Sequence, residues 1–108
     1  INSSATKKLF IDYLTHFSRQ GVKMVRSDAV GFVVKKAGTS CFFVEPEIYD
    51  FLTWLSNIAG SLGIELLPEI HAHHSIQKKL AQKGFWTYNF ILPYLVLEAF
   101  ICKPVDRL

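Results

Sequence analysis

The sequence predicts an α/β chain built around a parallel sheet. Three observations carry this: apolar residues at helical spacing alternate with short apolar runs, glycine closes most of the helical stretches, and the first two runs end in charged or imidazole side chains. Strands alternating with helices form βαβ units, which demand parallel pairing. Such strands are buried on both faces and should be apolar, except at their carboxyl ends, where this architecture puts its chemistry.

The elements follow in order. Over residues 4–20, Leu9, Phe10, Tyr13, Leu14 and Phe17 form one helical stripe, with Ser4 as cap and Gly21 as stop. Residues 22–28 hold Val22, Met24 and Val25 without a helical stripe and lead to Gly31, which reads as a short strand and a turn. Residues 32–44, with Gly38, Thr39 and Ser40 at their centre, form a long loop. Glu45, Pro46 and Glu47 open a second helix, since proline suits the first turn and acidic side chains suit the positive end of the helix dipole. Its buried stripe runs through Ile48, Phe51, Leu52, Leu55, Ile58 and Leu62 to Gly63. A second strand at 64–70, a helix at 75–83 stopped by Gly84, a third strand at 85–90 and a helix from Pro93 through Leu97 and Phe100 complete the chain. Without a repeat or a low-complexity linker, residues 1–108 read as one structural unit.

Composition narrows the function classes. The chain has 108 residues, half of them apolar, enough for one domain with a modest core. The net charge of +3 comes from Lys and Arg spread along the chain, which predicts a solvated surface and no nucleic-acid partner. No apolar run reaches the roughly 18 residues a membrane span needs, and Ile1 starts no signal peptide, so no membrane partner is expected. Cys41 and Cys102 lie far apart without CxxC spacing, which suits two free thiols in a reducing cytoplasm, with a disulfide as the lesser alternative. The only methionine is Met24, so a segment upstream of Ile1 is expected.

Residues two apart on a strand share a face, which pairs Arg26 with Asp28 and Glu69 with His71. If the two strands are neighbours, two carboxyls face one pocket. A guanidinium beside Asp28 favours the ionised form a nucleophile needs, while Pro68 and Ile70 could desolvate Glu69 and keep it protonated. Retaining glycosidases divide the work this way, with carboxyls about 5–5.5 Å apart. A plain ion pair at the sheet mouth explains the same residues and, on spacing alone, stands slightly ahead. His71, His73 and His74 leave a zinc site open, though their spacing matches no helical HExxH pattern. Phe85, Trp86 and Tyr88 read as core before they read as a sugar-stacking surface, and Phe42 or Phe43 is placed to cover a pocket.

The runs Val25-Arg26-Ser27-Asp28-Ala29-Val30-Gly31-Phe32, Ala37-Gly38-Thr39-Ser40-Cys41-Phe42, Leu67-Pro68-Glu69-Ile70-His71 and Tyr88-Asn89-Phe90-Ile91-Leu92-Pro93 together resemble the sucrose phosphorylase branch of the α-amylase family, glycoside hydrolase family 13. The resemblance covers nearly the whole chain. It implies a partial (β/α)8 TIM barrel, about strands 4 to 6 with flanking helices. It also implies Asp28 as the nucleophile that forms a β-glucosyl-enzyme, Glu69 as the acid/base, Arg26 orienting Asp28, and Phe32 and His71 lining the sugar site. The implied partners are a sugar substrate and inorganic phosphate, with no cofactor and no metal. Ser27 replaces the branch's usual leucine and Asn89 its usual aspartate. The run His71-Ala72-His73-His74 looks closer to members that act on phosphorylated sucrose or on glucosylglycerate.

The family's third acidic residue has no counterpart in these 108 residues, and a whole barrel takes about 250. The chain alone is therefore expected to be inactive. Two rivals share its residues: a hydrolase or transglucosidase with the same machinery, and a non-catalytic module that self-associates into a homo-oligomer through open sheet edges.

Overall fold

The computed structural model describes residues 3–89 and 92–102. Four helices and two strands follow in the order α1 (Ser4–Arg19), β1 (Met24–Ser27), α2 (Glu47–Ser61), β2 (Glu65–Pro68), α3 (His74–Gln82) and α4 (Leu92–Cys102), with a 3-10 turn at Val30–Phe32. The two strands are parallel, with Met24 opposite Glu65 and Ser27 opposite Pro68. α2 is the crossover between them, so the βαβ unit predicted from the alternation of elements forms.

α2 forms where its acidic start and apolar stripe predict. Glu47 and Asp50 occupy its first turn, and Ile48, Phe51, Leu52 and Leu55 are buried. Ile58 and Leu62, at the far end of the stripe, are half-buried. Burying a side chain such as Ile48 or Leu52 stabilises the fold by about 1.5–3 kcal/mol. The core gathers this stripe with Leu14 of α1, Val30, Val34, Phe43 and Val44 of the loop, Ile64, Leu66 and Ile70 around β2, and Leu80 of α3. The outer end of the α1–α2 contact is aromatic: Phe10 meets Phe51 edge-on at 5.7 Å and Trp54 at 6.4 Å between ring centroids.

The expected third strand at 85–90 is corrected. Residues 85–89 form no strand, Phe90 lies outside the described residues, and among the described residues β2 pairs only with β1. A strand needs a lateral partner for its backbone, and the N–H of Phe85 is instead given to the carbonyl of Leu80, closing the end of α3. Without a sheet face to bury it, Trp86 is exposed, contrary to its expected place in the core. α1 departs from its stripe in a similar way: Leu14 is buried and Phe10 half-buried, while Leu9, Tyr13 and Phe17 face solvent.

α4 begins beside Asn89, whose side-chain oxygen accepts from the N–H of Leu92 at 2.9 Å and satisfies one of the open donors of the first turn. Among the described residues, no helix is long and apolar enough to cross a membrane.

Candidate functional site

The site grows from the parallel ladder. Its last rungs run past the regular strands: the N–H of Glu69 donates to the carbonyl of Ser27 at 2.8 Å, which puts Asp28 and Glu69 side by side as the chain leaves the sheet. The next residue, Ala29, takes a left-handed conformation with φ of 47°. Its N–H then donates to the Glu69 carboxylate at 2.8 Å. The two predicted carboxyl residues are thereby linked through one backbone amide.

Arg26 Nη2 donates to Asp28, as their shared face of β1 predicts. Both side chains are more than half exposed, so this pair contributes little to stability. A side-chain hydrogen bond with Tyr88 raises the Arg26 pKa above its usual value; the negative charge of Asp28 adds to this, and that of Glu69 adds less. One guanidinium thus feels both carboxylates.

The pocket geometry is less unified than predicted. Glu69, Phe32 and His71 line one hollow of about 220 Å3 with Ala29, Gly31 and Phe42. Arg26 and Asp28 line another, of about 240 Å3, against the Phe10 to Phe17 face of α1. The strands are neighbours, but their carboxyls border two hollows.

The wall of the first hollow depends on a tight approach. Phe42 lies tilted on Phe32 with ring centroids 4.8 Å apart, and a Cβ on Gly31 would come within 2.8 Å of the Phe42 ring. A side chain at Gly31 would force the Phe42 ring to shift. The loop is pinned by the Phe43 N–H, which donates to the carbonyl of Gly31 at 2.8 Å. Phe43 itself is buried, so Phe42 is the one of the pair that lines the cavity. Cys41 and Phe43 share the left-handed backbone of Ala29, three non-glycine residues in one loop. Such conformations cost about 1–3 kcal/mol each and persist only where the surroundings fix them.

The histidines part company. His73 caps α3, its Nδ1 accepting from the Ser75 N–H at 3.3 Å, and its ring sits 4.0 Å from that of His74. Only His71 lines the Glu69 hollow. Among the described residues, no three His, Cys, Asp or Glu side chains are placed to hold a metal ion.

Comparison with known proteins agrees with the resemblance. No family model matches the chain. Sucrose 6(F)-phosphate phosphorylase of Thermoanaerobacterium thermosaccharolyticum is 52% identical over 108 residues, covering 100% of this chain and 22% of that protein. Sucrose phosphorylase of Streptococcus mutans is 38% identical over 112 residues, with 100% and 23% covered, and glucosylglycerol phosphorylase of Marinobacter adhaerens is 38% identical over 99 residues, with 92% and 21% covered. The crystal structure of sucrose 6F-phosphate phosphorylase from Thermoanaerobacter thermosaccharolyticum matches with a TM-score of 0.94 over 97% of this chain and 21% of that chain. The chain is similar to one segment of sucrose phosphorylases and related phosphorylases. It spans about one fifth of the length of the relatives it matches.

Two groups bonded to these predicted site residues are not placed there by the sequence. Tyr88 reads as core from its apolar neighbours, and only the path of the chain after α3 carries it to Arg26. The amide of Ala29 carries no signal at all, because nothing in an alanine announces a left-handed backbone.

Proposed function

We propose that this chain is the middle segment of a single (β/α)8 catalytic barrel, about strands 4 to 6, of a retaining α-glucoside phosphorylase. The observation that carries the reading is the parallel pairing of β1 and β2, which leaves Asp28 and Glu69 adjacent at the carboxyl end of the sheet. The phosphorylase relatives support the choice of reaction.

In this reading Asp28 is the nucleophile, held by Arg26. An oxygen of its carboxylate bonds to C1 of the glucosyl unit of sucrose or a related α-glucoside as the glycosidic C–O bond breaks, and Glu69 gives its proton to the departing oxygen. Inorganic phosphate then attacks C1 of the β-glucosyl-enzyme. Glu69 takes the phosphate proton, the bond to Asp28 breaks, and α-glucose 1-phosphate leaves with its configuration retained. Phe32 and His71 form the sugar-facing wall beside Glu69. The third acidic residue of the family is contributed by a segment outside these residues, so the isolated chain is inactive. The working compartment is the cytoplasm.

Turnover assays on a chain of the relatives' full length, with and without phosphate, test this. Glu69→Gln should lower kcat by about 10²- to 10⁴-fold, the usual contribution of a general acid. Asp28→Asn should abolish the burst of glucosyl-enzyme. Hydrolysis without any phosphate-dependent product would instead identify a hydrolase on the same machinery. Full activity in either variant would remove these carboxyls from the site.

A further inference from the structure

A cavity of about 430 Å3, larger than either hollow at the strand ends, lies between the start of α1, the loop after the 3-10 turn and the first turns of α2, with Lys7, Lys35, Lys36, Asp50 and Trp54 in its wall. It shares no lining residue with the hollow around Glu69.

Its lysines are not equivalent. Lys36 is paired with Glu47 at 2.9 Å. Lys7 Nζ instead lies 5.3 Å from the centre of the Trp54 ring, and Lys35 Nζ lies 6.0 Å from that of Phe32. Among the described residues, neither is in an ion pair with a carboxylate. An ammonium held by a ring and by no carboxylate is weakly held and turns readily to a stronger anion. Two such groups match a phosphate monoester, which carries close to two negative charges at neutral pH.

The rest of the wall selects what that phosphate is attached to. Asp50 is exposed in the first turn of α2, and its carboxylate opposes a bare anion while accepting from hydroxyls. Phe51 stacks obliquely on Trp54, with centroids 6.0 Å apart and planes at 33°. The indole face under Lys7 therefore opens when that lysine moves to a ligand. We infer that this cavity binds a phosphorylated monosaccharide, with Lys7 and Lys35 on the phosphate, Asp50 on ring hydroxyls and Trp54 against the face of the sugar.

The test reads binding, so it does not depend on turnover. In a Trp86→Phe background, Trp54 is the only tryptophan left and its emission reports the cavity. Fructose 6-phosphate should change that emission saturably, with a dissociation constant at least tenfold lower than that of fructose or inorganic phosphate alone. Lys7→Met with Lys35→Met should weaken it at least tenfold, Lys7→Arg with Lys35→Arg should retain it, and Glu69→Gln should leave it unchanged. Circular dichroism of each variant separates lost binding from lost folding. Equal affinity for inorganic phosphate, an absence of saturation, insensitivity of a folded Met variant, or loss in Glu69→Gln would each overturn the assignment.

Discussion

In α2, Ile48, Leu52 and Ala59 are fully buried, whereas α4 leaves Tyr94 73% and Phe100 82% exposed. The two helices carry similar apolar side chains, so their difference comes from what lies beneath them. α2 packs on β2 and α1. For α4 the equivalent support would be a strand at 85–89, and none forms there. Apolar sequence fills a core only where a sheet or helix face already waits for it, which is why most helical stability comes from tertiary packing.

Unfolding measurements can break this comparison. Leu52→Ala should cost about 2–5 kcal/mol in urea unfolding, as expected for an emptied core position. Phe100→Ala should stay within about 0.5 kcal/mol. Equal costs would mean that α4 is covered in solution, and sedimentation velocity would then report an assembly. Exposed apolar patches of this kind commonly mark contact surfaces.

The same contrast governs how much could be read from residues. α1, α2, α3 and both strands lie close to their predicted places, because each combines a periodic apolar pattern with a stop such as Gly21, Gly63 or Gly84. The Arg26–Asp28 contact follows from strand alternation. The neighbourhood of Glu69 was legible in kind and not in detail, since the Ala29 amide depends on a left-handed turn that its sequence does not encode locally. The third strand failed because an aromatic-rich run such as 85–90 says nothing of whether a partner edge is available.

Tyr88 sharpens the comparison, since it belongs to that strandless stretch and still reaches the site. In a chain long enough to turn over substrate, Tyr88→Phe should lower kcat about tenfold with KM unchanged, the expected loss for one hydrogen bond to a charged group that positions the proposed nucleophile. An increase in KM at constant kcat would place Tyr88 on the substrate, and no change would detach residues 85–89 from the chemistry.

The smallest expected effect lies in the loop on the well-packed side. The pKa of Cys41 is lowered first by a hydrogen bond with the Lys36 backbone, then by the Thr39 side chain and, more weakly, by the charge of Lys35. Thiolate is the reactive form, so a lowered pKa moves the onset of alkylation to lower pH. In a Cys102→Ser protein, the iodoacetamide rate plotted against pH should have its midpoint below that of a free cysteine. Thr39→Val should move the midpoint upward only part of the way, because the Lys36 contribution remains. Urea should restore the ordinary value, because the folded loop is what holds Lys36 and Thr39 against the sulfur. A midpoint unchanged by urea would show that the loop has no such order in solution, and the contrast between the packed and unpacked parts of the chain would then have to be drawn elsewhere.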